Sequence, residues 1–110
     1  MNTPEDIERK RRMVENLHLI SNYTKVKANF ERYKGSDNVI LKRSEKADKK
    51  YKVIIDGKRT VHFGSKLQDY THHQDENRRK RYLARAKAIK GKWKDDKYSA
   101  NQLAINLLWA

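Results

Sequence analysis

The chain has 110 residues, 36% of them hydrophobic and 37% charged, with a formal net charge of +13 at pH 7. That bounds it to one small domain with a modest core, and the lack of cysteine excludes disulfides and thiolate metal sites. No apolar run approaches the ~20 residues of a membrane-spanning helix, and MNTPEDIERK lacks the apolar stretch of a signal peptide.

Taken in order, Thr3-Pro4-Glu5-Asp6 reads as a helix start, with a capping threonine, a proline at the first helical position and acids at the positive end of the dipole. Ile7, Met13, Val14, Leu17 and Ile20 form its apolar stripe. Arg9, Lys10, Arg11 and Arg12 spread around such a helix, so they read as a solvated face. Between 21 and 34, Tyr23, Val26, Phe30 and Tyr33 fit a helical stripe, while Val26, Ala28 and Phe30 also fit a strand. Helix is favoured because Gly35 offers a stop. Residues 35–38 read as a turn and Val39-Ile40-Leu41 as a short strand. The run 41–50 has five basic and two acidic residues and looks like a linker. The expected division is therefore a mostly helical N-terminal arm over 1–45 and a compact module over 46–110.

The run 51–64, YKVIIDGKRTVHFG, predicts a β-hairpin. Asp56-Gly57 between two alternating runs is the signature of a type I′ turn, whose central residues both need positive φ. Val53, Ile55, Val61 and Phe63 would share one face, and a lone hairpin is marginal in water, so helices must cover it. Gly64-Ser65-Lys66 ends the second strand. Residues 67–74 read as a polar loop, with Asp69 and Thr71 tying it locally and a histidine capping the helix that follows. That helix is expected over 75–90, ending at Gly91, with Tyr82, Leu83, Ala86 and Ile89 on its apolar side. Ser99-Ala100-Asn101-Gln102 is a capping box that opens a short helix with Leu103, Ala104, Leu107 and Leu108 inward.

The main functional signal is the density of cations in this last third: Arg78, Arg79, Lys80, Arg81, Arg85, Lys87, Lys90, Lys92 and Lys94. Guanidinium and ammonium groups bind phosphates and carboxylates alike, so the partner is an anion, either nucleic acid or an acidic protein surface. Tyr23, Phe30, Tyr33, Trp93 and Trp109 read as core or interface anchors. His62, Asp69, His72, His73 and Asp75 lack the spacing of a metal site, and no metal or cofactor is expected. There is no nucleophile elbow and no glycine-rich phosphate loop, so no catalytic residue and no small-molecule substrate are expected. A metal-dependent nuclease built on Asp69, His72 and Asp75 is the weakest alternative.

The run 51–93, followed by 99–109, resembles a group of small basic proteins encoded by large DNA viruses and tailed phages, crAss-like phages among them. Their recurring pattern is a Lys-Tyr-x-Val strand, a His-Phe-Gly strand end, an Asp-Tyr-Thr-x-His-x-Asp loop, a run like Arg-Lys-x-Arg-Tyr-x-x-Arg, and a terminal Leu-Leu-Trp. Here these stand at 50–53, 62–64, 69–75, 79–85 (where Arg81 follows Lys80 directly) and 107–109, with Gln74 as the filler before Asp75. The resemblance implies a viral origin and a protein made for the virion or the viral genome, and it brings no catalytic residues.

The expectation is thus an α+β module: a small antiparallel hairpin or sheet against the basic helix and a short C-terminal helix, with a helical arm. The expected role is an auxiliary or minor capsid component, made in the host cytoplasm and located in the virion. Its partners would be the major capsid protein or other virion proteins and packaged DNA, with no membrane. The alternative is a nucleic-acid-binding protein for packaging, condensation or transcription.

Overall fold

The computed structural model describes residues 17–110. The helix expected from Thr3, with its Arg9–Arg12 run, lies outside the described residues. Among those described the chain is α+β: a three-stranded antiparallel sheet in the order β1-β2-β3, covered on one face by helices.

Helix α1, Tyr23–Lys34, starts where the Asn22 side chain accepts the Lys25 N–H at 3.3 Å and stops at Gly35, whose φ is 55°. Val26 and Phe30 are buried while Ala28 between them is exposed, which fits a helical stripe and not the alternation of a strand. Strand β1 is Val39–Arg43, β2 is Tyr51–Ile55 and β3 is Arg59–Phe63. The hairpin turn has the expected form. Asp56 and Gly57 have φ of 53° and 67°, and the Lys58 N–H donates to the Ile55 carbonyl at 3.0 Å. The ladder pairs Ile55 with Arg59, so Lys58 is one residue more than a two-residue loop holds. That register puts Val53 opposite Val61 and Tyr51 opposite Phe63, which gives the shared apolar face.

On that face Val39, Leu41, Tyr51, Val53 and Phe63 are buried, with Ile55 and Val61 partly so. The 67–74 segment contains a single helical turn, α2, Tyr70–His73, where a loop was expected. Helix α3 is Glu76–Lys87, shorter than the expected 75–90. After a 3-10 turn at Trp93–Asp95, helix α4, Ala100–Leu103, begins with the Ser99 hydroxyl accepting the Gln102 N–H, and runs on as a π-helical turn, Ala104–Leu108. Leu103, Leu107 and Leu108 are almost fully buried. They meet α1 and the sheet, so the core lies between sheet, α1 and the terminal helix.

The division at residue 45 is not a break in packing. Leu17, Val26, Phe30, Val39 and Leu41, all in the expected arm, share one hydrophobic cluster with Tyr51, Phe63, Tyr98 and Leu107 of the module. Asn29 donates to the Leu107 carbonyl at 2.9 Å, and the Tyr33 hydroxyl to the Lys97 carbonyl at 2.7 Å. The run read as a linker ends in Lys50, whose N–H is shared between the Phe63 and Gly64 carbonyls. Gly64 has φ of 87°, and a Cβ there would stand 3.0 Å from Leu108 Cδ1 and 3.2 Å from Lys50 Cβ. The His-Phe-Gly strand end is therefore a place where the terminal helix comes down on the sheet, which only glycine permits.

Candidate anion-binding surface

Helix α3 is set by its first residues. Asp75 Oδ1 accepts the N–H groups of Asn77 and Arg78 at 3.0 and 3.2 Å, and His73 Nδ1 accepts the Asp75 N–H at 2.9 Å. Gln74 turns the chain between α2 and α3 with φ of 57°. The local ties expected of Asp69 and Thr71 and the histidine at the helix start are all present. Burial on α3 is slight: Ala86 is its one buried residue, and Tyr82 and Leu83 are half-buried. Its anchors are polar and aromatic instead. Tyr82 stacks on Trp109 with ring centroids 4.1 Å apart, and Asn101 donates to the Ala86 carbonyl at 3.0 Å. The helix ends early because the Ala88 and Ile89 N–H groups turn back to the Arg85 and Ala86 carbonyls, and the Trp93 indole donates to the Ile89 carbonyl at 2.7 Å. Ile89, expected on the apolar stripe, is consequently 54% exposed.

The nine cations of the basic stretch divide into two kinds. Arg79 is a structural strut. Its Nε donates to the Trp109 carbonyl at 2.9 Å, its Nη1 reaches Glu76 at 3.0 Å, and the guanidinium lies 5.4 Å from the Tyr70 ring centre. It is thus committed within the molecule rather than offered to a partner. Arg78 is half-buried beside His73, where burial first and the Arg78 charge second hold the imidazole below its ordinary pKa. Lys80, Arg81, Arg85, Lys87, Lys90, Lys92 and Lys94 are exposed. No carboxylate lies within 4.0 Å of any of the seven among the described residues. The chain has no acidic residue between Glu76 and Asp95. Arg81 and Arg85 are four apart on α3, a like-charge pair that costs about 0.2–0.5 kcal/mol in an isolated helix. Residues 1–16 carry four cations and four anions, so the whole +13 falls on 17–110.

The five aromatic anchors have different places. Phe30 is 1% exposed and belongs to the core, out of reach of any partner. Tyr33 is half-buried and sits edge-on to Tyr98. Trp93 is half-buried as the cap of Ile89. Trp109 lies between Tyr82 and His73 and holds α3 to the body. Tyr23 is 41% exposed, with the Arg43 guanidinium 5.9 Å from its ring centre. The residues His62, Asp69, His72, His73 and Asp75 are not brought together. His62 Nδ1 pairs with the Ser44 hydroxyl at 2.7 Å, Asp69 is taken up by Lys50, and His72 is exposed. Among the described residues no three such side chains converge.

Sequence reasoning passed over the most buried ion pair among the described residues. Lys50 Nζ and Asp69 Oδ2 form an ion pair at 3.1 Å with side chains 2% and 0% exposed. Burial pulls the Lys50 pKa down, and Asp69 opposes it. Asp69 Oδ1 also accepts from the Thr71 N–H and hydroxyl. The Tyr51 hydroxyl donates to Ser21 Oγ at 2.8 Å, burial pushing its pKa up to about 12, and Ser21 Oγ lies 3.4 Å from Thr71 Oγ1. The Lys-Tyr and Asp-Tyr-Thr elements of the recurring pattern meet here, and that pattern was the one available signal.

Residues 39–86 match the model of a family of unknown function, DUF5754. The matched span runs from β1 into the last turn of α3, and so holds the sheet, the buried pair and most of the basic helix. No curated protein and no solved structure matches the chain.

Proposed function

We propose that this chain is a structural component of a virus particle, an auxiliary or minor capsid protein whose exposed cations meet an anionic surface. The observation that carries the anion is the run of seven exposed cations from Lys80 to Lys94 with no carboxylate beside them among the described residues. A surface serving only solubility mixes charges of both signs, whereas a face of one sign is complementary to a partner of the other. The viral setting rests on the resemblance of 50–109 to small basic viral proteins. A core this modest, with α3 scarcely buried, also suits a protein that gains stability on assembly. The test is mass spectrometry of purified particles of the encoding virus, with copy number measured against the major capsid protein. A ratio near a simple fraction is expected, and absence from particles would sink the reading.

A second reading is favoured by the same face. A basic helix whose Arg81 and Arg85 meet no carboxylate among the described residues suits the nucleic-acid backbone, and such a protein would serve packaging, condensation or transcription. Here the expected sign is affinity that falls steeply with salt.

A further inference from the structure

The four exposed cations on α3 form two rows. Successive helix residues are rotated by about 100°, so Lys80 and Lys87 fall on one flank of the outward face and Arg81 and Arg85 on the other. Between the rows run Asn77, Ala84 and Ala88, all exposed and uncharged. On the opposite side Tyr82 and Ala86 face the body. The outward side of α3 therefore allows its backbone to approach a surface closely while cations reach out to left and right.

That shape suits a channel walled by two lines of negative charge. The major groove of B-form DNA is about 12 Å wide, admits an α-helix and is bordered by a phosphate strand on each side. We propose that α3 binds double-stranded DNA by lying in the major groove, with Lys80 and Lys87 on one phosphate strand and Arg81 and Arg85 on the other. Lys90, Lys92 and Lys94, just beyond the helix, add contacts at its C-terminal end. Asp75 and Glu76 oppose phosphate at the N-terminal end. They are partly spent on the cap and on Arg79, so the close approach falls on the later turns of α3. The assignment rests on the anion-binding reading above and names the anion.

The experiment uses the full chain with a fluorescent duplex DNA and the duplex RNA of the same sequence, titrated at several salt concentrations. On the order of four to six phosphate contacts give a slope of log K against log salt of about −4 to −5. A-form RNA has a major groove too deep and narrow for side chains to read, so the DNA is expected to bind at least tenfold tighter. Lys80→Ala with Lys87→Ala, and separately Arg81→Ala with Arg85→Ala, should each lower the slope by about 2. Ala84→Trp changes no charge at an exposed position, and it should weaken DNA binding at least tenfold with an unchanged melting temperature. Equal affinity for the two duplexes, or full affinity in Ala84→Trp, would overturn the groove assignment, as would no DNA binding at low salt. If the chain is stoichiometric in particles and still fails these tests, the capsid reading stands, with an acidic protein as the anion.

Discussion

Lys50 and Asp69 show how much one residue pair governs here. Removing both charges from water is costly, and their attraction repays it only with good geometry and filled hydrogen-bonding sites. The geometry is good at 3.1 Å, and the Asp69 carboxylate is further satisfied by the Thr71 N–H and hydroxyl, which both donate to Oδ1. Lys50→Met leaves the Asp69 carboxylate buried without its cation and should cost about 3–5 kcal/mol in urea unfolding. Adding Asp69→Asn removes the stranded charge but keeps an acceptor for Thr71, so the double variant should recover part of that loss. Full additivity of the two changes would mean the pair is not coupled. Composition did not disclose this pair. Lys50 closes a run of charged residues that looks solvated, and the Asp69 that buries it lies nineteen positions on. Phe30 is the opposite case: its spacing from Val26 announced a buried stripe, and it lies in the core.

At the scale of elements, local chemistry was legible and tertiary context was not. Asp56-Gly57 disclosed the hairpin because its backbone demand is met by very few dipeptides. Ser99 and Asp75 marked helix starts for a similar reason, each side chain accepting N–H groups that the first turn leaves free. Strand β1 ran on to Arg43 into the expected linker, since pairing with β2 overrides the polar composition of Lys42 and Arg43. The end of α3 was missed for lack of any local signal, as the Trp93 indole that caps Ile89 acts from four residues away. Because α3 buries only Ala86 outright, its attachment depends on Trp109, which stacks on Tyr82 and lends its carbonyl to Arg79. Trp109→Ala should cost about 2 kcal/mol, less than a fully buried aromatic. It should also raise amide hydrogen exchange over 76–87 well before it does so in β2. Uniform acceleration across both would show that α3 is held by something else.

For the whole molecule, the net charge and the histidines set the response to pH. His62 and His73 are both held below their ordinary pKa, burial being the first cause for each. For His62 the Lys46 charge adds to it against Glu45. For His73, Arg78 adds and Asp75 and Asp69 oppose. The folded state therefore keeps them neutral where the unfolded chain takes up protons, around pH 6.5. Stability should fall as pH drops from about 7 through the folded pKa values and then level. A second loss should follow below about pH 4. There Asp37, lowered by the Tyr98 and Lys97 hydrogen bonds, and Asp96, lowered by Arg59, are protonated. Thermal melts across this range check both steps, and His62→Asn with His73→Asn should flatten the upper one. A melting temperature that climbs between pH 7 and 5 would contradict the assignment.

The sealing of α1 by residues 103–109 has a consequence for how the protein is made. Asn29 waits for the Leu107 carbonyl, and Val26 and Phe30 share their cluster with Leu103 and Leu107. While a ribosome is still translating the codons for that segment, the sheet and α1 stand with an open apolar face. The core around α1 can therefore close only after residue 107 has left the exit tunnel.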